Sequence, residues 1–268
     1  MALTWVYQLQ NVDAEQQSKV RADVKVIDPF KYDDVRWTSG GVTWMRAGNN
    51  SCKMLAYLSI GEAEDYRAYW KTAWQTQKTR PIWLDRENPE WRGNFKVRFW
   101  KNEWKDIVKA QIDAIVKQGF DGIYLDIVDA YEYYEDRGIH DAGSQMIRFV
   151  TELAAHARAQ SPNFWIVPQN GSGLLHDPNY ADVISAIGVE DVFYNQPGEG
   201  RANSGTITLP TTTALREAVT RRKPVLAVEY GLNTAQRKLF IKACDYHGFS
   251  PYITTRELNA LRPVVLEV

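Results

Sequence analysis

The stretch GFDGIYLDIV, residues 119–128, decides the predicted fold of this chain. Apolar residues recur at three- and four-residue spacing along 104–116, and Gly119 then ends the helical pattern, as glycine commonly does. The run 122–128 follows at once, and nearly all its positions are apolar except Asp126. Such a run is typical of a parallel strand that is covered on both faces. The stretch therefore predicts a helix followed by a buried strand.

The same pattern recurs along the chain. Seven further short apolar runs resemble strands, and helical patterns separate several of them. Eight strands alternating with helices over 268 residues predict an α/β fold, the (β/α)8 TIM barrel. No Gly-, Ser- or Pro-rich linker divides the chain, so residues 1–268 are expected to form one domain. The predicted strands are 5–9, 24–28, 54–60, 122–128, 164–168, 183–189, 224–229 and 250–254.

An open doubly wound sheet is the alternative arrangement of these elements. That fold usually carries a glycine-rich phosphate loop after its first strand. Here the first strand leads into QNVD at 10–13, which contains no glycine. The barrel is therefore the favoured prediction.

Composition excludes several classes of protein. The chain has 32 Lys and Arg against 33 Asp and Glu, a net charge of −1, which argues against a dedicated nucleic-acid binder. No apolar run reaches the ~20 residues of a membrane-spanning helix. Residues 1–10 lack the pattern of a signal peptide. The compartment stays open, since a secreted or periplasmic protein whose leader has been removed would look the same.

Acidic and amide side chains collect at the carboxyl ends of the predicted strands, where barrel enzymes carry their chemistry. None of the four histidines lies at a strand end, which argues against a Ser-His-Asp triad. No HExxH, Walker or GxGxxG pattern occurs, and two cysteines cannot build a four-ligand zinc site. We therefore expect no cofactor and no bound metal. The strand-end set is Asp28, Glu62, Asp126, Asp129, Gln169, Asn170, Glu190, Glu229 and Tyr230.

Enzymes that hydrolyse glycosides typically use a pair of carboxylates, here expected beside aromatic side chains. One carboxyl has to stay protonated so that it can protonate the leaving oxygen, and the other has to be charged. Asp126 lies inside an apolar run, and Glu190 directly follows the run 187–189. A buried carboxylate is costly unless it is paired or serves a function. Asp126 and Glu190 are therefore the candidate catalytic residues.

Aromatic side chains are the second part of the predicted site. Six of the ten tryptophans lie between positions 65 and 104, which predicts an aromatic-rich insertion after the third strand, at about 62–103. Within it, Trp83 is the candidate for stacking on a sugar ring. Tyr131 directly follows the fourth strand and is expected to overhang the mouth of the barrel. The predicted substrate-binding residues are Asp28, Tyr57, Glu62, Trp83, Tyr124, Asp129, Tyr131, Gln169, Asn170, Glu229 and Tyr230.

Long motifs of this sequence resemble those of glycoside hydrolase family 114, the endo-α-1,4-polygalactosaminidase-like proteins. They are WVYQLQ at 5–10, AYLSIGEAEDYR at 56–67, NPEW at 88–91 and GFDGIYLD at 119–126. In the last third of the chain only GVE at 188–190 and EY at 229–230 match. The resemblance implies a (β/α)8 barrel that cleaves α-1,4-linked galactosamine polymers and has its acid pair at the ends of strands 4 and 6.

By this resemblance, Asp126 is the nucleophile and Glu190 the general acid/base of a retaining glycosidase. Sequence assigns the positions and leaves the reverse assignment of roles open. The expected partner is a polysaccharide, with Tyr124 or Tyr230 tuning the charge of Asp126 by a hydrogen bond. The exact glycan, endo or exo cleavage and the oligomeric state stay open. Two other functions remain: a non-catalytic carbohydrate-binding barrel, or a Mg²⁺-dependent barrel enzyme, since carboxylates alone can hold a hard cation.

Overall fold

The computed structural model describes residues 2–262, and within that range the eight predicted strands form the wall of one barrel. This confirms the predicted TIM-barrel fold. Each strand lies within one or two residues of its predicted position, except at the start of the sixth. The barrel strands are β1 Trp5–Gln8, β2 Val24–Ile27, β3 Lys53–Ser59, β4 Gly122–Asp126, β5 Trp165–Pro168, β6 Ile187–Glu190, β7 Val225–Tyr230 and β8 Ser250–Thr254.

Parallel strand pairing forms most of the barrel wall. Strands β1 to β5 form one continuous parallel sheet, and β6 to β8 form another. A parallel bridge between Gln169 and Gly188 joins β5 to β6. On the other side, the Trp5 indole Nε1 donates to the Ser250 carbonyl at 3.0 Å, which joins β1 to β8. All strands run in the same direction, so their carboxyl ends share one rim.

Helices cover the outside of this wall. Helix α3 presents Trp104, Val108, Ile112 and Ile115 to the core at the spacing that the sequence predicted. The helices are α1 Ala14–Lys19, α2 Ser39–Trp44, α3 Asn102–Lys117, α4 Ala130–Glu135, α5 Ala142–Gln160, α6 Pro178–Val183, α7 Gly205–Thr220 and α8 Thr234–His247. No helix within residues 2–262 has the length and apolar character needed to cross a bilayer.

The predicted start of the sixth strand was wrong by four residues. Position 183 ends helix α6, and the strand begins at Ile187. The Asp177 carboxylate accepts hydrogen bonds from the amides of Asn179 and Tyr180, at 2.8 and 3.3 Å. This cap, with proline at the first helical position, starts a helix that carries the chain through the predicted strand start.

Aromatic rings fill the inside of the barrel. Trp5, Tyr7, Tyr124 and Tyr252 are fully buried there, with ring centroids of Tyr7 and Tyr124 5.1 Å apart. The Tyr124 ring occupies the space beside Gly188, where an added Cβ would overlap the tyrosine hydroxyl. Because Gly188 also carries the bridge between β5 and β6, the small residue lets the barrel close around the large ring.

The segment between β3 and α3 forms a small antiparallel sheet of its own. Its strands are Glu62–Glu64, Leu84–Glu87 and Asn94–Val97, with the last in the middle. Two short 3-10 helices, Thr72–Gln75 and Gln77–Thr79, lie between the first two strands. Trp83 packs between Trp74 and Trp104, with ring centroids at 5.0 and 5.1 Å. The segment is therefore anchored to α3 by a cluster of tryptophans.

Replacing Gly188 by alanine tests the closure of the barrel. The added methyl group overlaps the Tyr124 ring, so we expect a loss of about 1–3 kcal/mol in the free energy of unfolding. Denaturant unfolding measures the change. Gly40→Ala is the matched control, because nothing lies within 4 Å of a Cβ built there. Equal stability of the two variants would contradict this account of closure.

Candidate active site

A cleft of about 590 Å³ opens at the carboxyl rim of the barrel. This volume lies within the ordinary range of small-molecule and substrate sites. Its lining combines strand-end side chains with residues from the loops that follow them. Nine of the predicted site residues line it: Asp28, Tyr57, Glu62, Asp126, Asp129, Gln169, Asn170, Glu190 and Tyr230.

Asp126 is the last residue of β4, opposite Ser59 of β3 in the parallel ladder. The Tyr57 hydroxyl donates to its Oδ2 at 2.6 Å. Tyr57 lies two positions before Ser59 on the same strand, so its side chain points to the same face of the sheet. A short bond from a buried phenol holds one carboxylate oxygen in a defined position.

Glu190 is the last residue of β6 and belongs to the same cleft. The Tyr230 hydroxyl, from the end of β7, donates to its Oε2 at 2.7 Å. The Asn170 amide donates to its Oε1 at 3.1 Å, and the Asn170 side-chain oxygen accepts from the Glu190 backbone amide at 3.3 Å. Neighbouring strand ends thus hold both oxygens of this carboxyl.

Left-handed backbone follows three of the strands that build the site. Ile127, Asn170 and Asp191 have φ values of 57°, 61° and 53°. This conformation is costly for a β-branched residue such as isoleucine. It turns the chain sharply just after Asp126, and Gly61 allows the β3 loop to pass against the Ile127 carbonyl, where a side chain would not fit. Such local strain is typical of functional sites.

Burial changes the protonation of the site. Burial, together with the nearby charge of Glu190, raises the pKa of Asp126 from 3.8 to about 7, although the Tyr57 hydroxyl and the Ile127 amide act in the opposite direction. Burial raises the pKa of Asp129 to about 7 as well, with the charges of Glu132 and Glu190 adding to the effect. Near neutral pH, the group of carboxyls therefore shares protons.

Sequence reasoning missed an ion cluster on one side of the cleft. The Arg67 guanidinium lies 2.8 Å from an Asp28 oxygen and 2.7 Å from a Glu64 oxygen. The Tyr66 hydroxyl also donates to Glu64, at 2.6 Å. Glu64 and Arg67 lie in the quoted motif 56–67, so the signal was present, but neither residue is at a strand end.

Glu62 lies close to this cluster in the chain but has different partners. Its Oε1 accepts from the Asn88 amide at 2.9 Å and from the Lys96 ammonium at 3.2 Å. Its Oε2 is buried and has no hydrogen-bond partner among residues 2–262. Glu62 borders the cleft, but its side chain is only 1% exposed, so this oxygen is closed off from solvent.

The sequence profile of the group described as Glycoside-hydrolase family GH114 matches residues 1–267. This chain belongs to glycoside hydrolase family GH114. It is therefore a glycosidase, and the resemblance read from the sequence is confirmed. Uncharacterized proteins of Deinococcus radiodurans and Thermotoga maritima are 37% and 36% identical to it, over 89% and 90% of this chain and 75% and 70% of theirs.

Solved structures share the fold of this GH114 chain. Aspergillus fumigatus Ega3, in a complex with galactosamine, matches with a TM-score of 0.72 at 19% identity, covering 98% of this chain and 95% of its own. The glycoside hydrolase domain of PelA from Pseudomonas aeruginosa matches with a TM-score of 0.74 at 17% identity, covering 96% of each chain. At these identities, the likeness is one of fold.

Four residues predicted to bind substrate do not line the cleft of the GH114 chain. Trp83 is only 2% exposed within the tryptophan cluster, and Tyr131 is buried with its hydroxyl on Glu132, so neither can stack on a sugar ring here. Tyr124 lies inside the barrel. The hydrogen bond to Asp126 that was predicted for Tyr124 or Tyr230 comes from Tyr57, and Tyr230 donates to Glu190. Glu229 is fully buried and accepts from the Phe193 amide at 2.7 Å.

No group of three or more histidine, cysteine and acidic side chains within residues 2–262 is arranged to hold a metal ion. The carboxyls of the cleft are instead engaged with tyrosine hydroxyls, amides, a lysine and an arginine.

Asp126→Asn is expected to stabilise the fold at about pH 8. The folded state holds a proton on Asp126 up to about pH 7, whereas the unfolded state loses it near 3.8, so stability falls as pH rises between these values. Asparagine cannot ionise and so avoids this loss. We expect the free energy of unfolding of the variant to exceed that of the parent by about 1 kcal/mol or more, which corresponds to roughly 2–4 °C in Tm. Thermal unfolding at about pH 8 and about pH 4 measures it.

The gain should become much smaller at the lower pH, because that pH lies close to the unfolded pKa of 3.8 and far below the folded value. Asp245→Asn, an exposed change on α8, serves as the control. An Asp126→Asn variant with no pH-dependent gain would show that Asp126 is not held protonated in the folded protein.

Proposed function

We propose that this chain hydrolyses an α-linked galactosamine-type polysaccharide through two carboxyl groups, with retention at the anomeric carbon. The observation that carries the proposal is the pair Asp126 and Glu190, which line one cleft and each accept a hydrogen bond from a tyrosine. Like charges close together resist simultaneous ionisation, so such a pair can present one acid and one carboxylate at the same pH.

The reaction has two steps. In the first, Asp126 attacks the anomeric carbon while Glu190 gives its proton to the departing glycosidic oxygen, which leaves a glycosyl ester on Asp126. In the second, Glu190 takes a proton from water, the water oxygen attacks the same carbon, and the Asp126 carboxylate is released. Two inversions at one carbon give net retention.

Coupling between the two carboxyls means that a single shared proton can sit on either of them. The charge of Glu190 is one cause of the raised pKa of Asp126. Protonation of Glu190 removes the negative charge that raises the pKa of Asp126, while the Tyr57 hydroxyl continues to stabilise the Asp126 carboxylate. The form with ionised Asp126 and neutral Glu190 is the one that the first step requires.

The charge of the cleft supports a cationic substrate. Seven acidic residues line it, namely Asp28, Glu62, Glu64, Asp126, Asp129, Glu190 and Glu257, against three arginines, Arg67, Arg92 and Arg256. Free amino groups on a deacetylated amino-sugar polymer would be attracted to this surplus. Neutral or N-acetylated polymers would lack that attraction.

Asp126→Asn and Glu190→Gln should each lower kcat on a galactosamine polymer by at least about 10³-fold, because each removes one member of a catalytic unit. Release of new reducing ends measures the rate, and circular dichroism checks the fold. Asp245→Asn should keep the parent rate. A near-parental rate in either cleft variant would falsify the mechanism.

Added azide and an activated aryl glycoside then separate the two roles. In Asp126→Gly, azide replaces the missing nucleophile and gives a β-glycosyl azide. In Glu190→Ala, azide attacks the glycosyl ester and gives the α-glycosyl azide. Exchanged products would reverse the assignment, and NMR of the anomeric proton distinguishes them.

Salt dependence tests the charge of the substrate. Raising NaCl from about 50 mM to about 500 mM should lower kcat/KM on the deacetylated polymer, since salt screens attractions between exposed charges. The N-acetylated polymer, which carries no amine charge, is the matched control. Equal salt responses of the two polymers would count against recognition of the amine.

A further inference from the structure

Two large aromatic side chains border the cleft and are exposed to solvent. Tyr66 is 56% exposed and Trp91 is 54% exposed, and both line the same cleft as Asp126 and Glu190. Single exposed aromatic residues are common on protein surfaces. Trp44 on α2 is also 54% exposed but does not line the cleft. Tyr66 and Trp91 differ from it by their place beside the acidic cleft.

The backbone fixes the turn that carries Trp91. The Asp65 amide donates to the Gly93 carbonyl at 2.8 Å, and the Gly93 amide donates to the Glu87 carboxylate at 2.8 Å. Gly93 has a φ of 88°, and a Cβ built there would lie 2.8 Å from an Asp65 oxygen. This close approach holds the turn that contains Trp91 against Asp65, which directly precedes Tyr66.

Charged neighbours hold the Tyr66 ring. Its hydroxyl donates to Glu64, and the Arg67 Cζ lies 5.1 Å from the centre of the ring. Arg67 is itself anchored by Asp28 and Glu64. A ring held in place loses little side-chain entropy when a ligand stacks on it.

Galactose-type sugars match such a surface. Their axial 4-hydroxyl leaves a patch of C–H groups on one face of the ring, and aromatic rings favour contact with that apolar face. Asp28 and Glu64 share the single Arg67, and their surplus negative charge suits the amino groups of the same sugars. The two kinds of group on this side of the cleft thus complement the apolar face and the amino group of one amino sugar.

We propose that Tyr66 and Trp91 form a sugar-stacking subsite that binds a residue of the polymer other than the one undergoing cleavage. This inference rests on the proposed function and adds a preference for long substrates. The subsite lies on the segment after β3, whereas the nucleophile and the acid lie at the ends of β4 and β6. A chain that reaches both places gains affinity that a short glycoside cannot.

Tyr66→Ala and Trp91→Ala are compared with the parent on a long α-1,4-galactosamine oligomer and on an aryl α-galactosaminide. Each variant should raise KM for the oligomer by about 3- to 10-fold, the scale of one aromatic contact. Both should leave kcat and KM for the aryl glycoside unchanged. Tyr66→Phe keeps the ring and should stay close to the parent, and Trp44→Ala is the matched exposed control.

Unchanged KM for the long oligomer in both alanine variants would overturn the subsite. A second measurement separates this inference from the proposed mechanism. Binding of the oligomer is titrated in the Asp126→Asn background, with and without Trp91→Ala. A 3- to 10-fold weaker affinity, about one aromatic contact, supports the subsite even if the parent does not hydrolyse this polymer. Equal affinities, or no binding, overturn it.

Discussion

Closure of the barrel between β5 and β6 is the contact on which the site depends. The bridge from Gln169 to Gly188 brings the end of β6 beside that of β5, and Asn170 can then hold Glu190. In an open sheet, the edge strands would lie apart. Because Gly188 has no side chain, β6 can close against β5 with the Tyr124 ring inside the barrel. Packing of the interior thus determines the geometry of the rim.

The rim carries features that reduce stability. Two carboxyls with raised pKa values, a third buried acid at Glu229 and left-handed backbone at Ile127 all cost free energy in the folded state. The tryptophan cluster and the apolar layer between strands and helices oppose that cost. Strain and buried charge thus concentrate at the carboxyl ends of the strands, where barrel enzymes carry their chemistry.

Much of this site was predictable because position in a strand determines side-chain direction. Asp126 and Glu190 end apolar runs, and parallel strands bring such ends together. The tryptophans were not predictable in the same way. Trp83 and Trp91 belong to the same segment, yet one is buried and the other is exposed on the cleft. Trp83 directly precedes a strand of the small sheet and Trp91 lies in the connection between two of its strands, and local sequence does not say which of these positions will face the barrel.

The amino-acid sequence by itself determined the eight strands, the class of fold, the family and the two carboxyls, because each depends on local periodicity or on a continuous motif. Only the tertiary structure decided which tyrosine serves which carboxyl, that Arg67 bridges Asp28 and Glu64, and which aromatic rings reach the cleft. These contacts join residues from different strands and loops. Their partners are set by how the barrel closes, which no short stretch of sequence encodes.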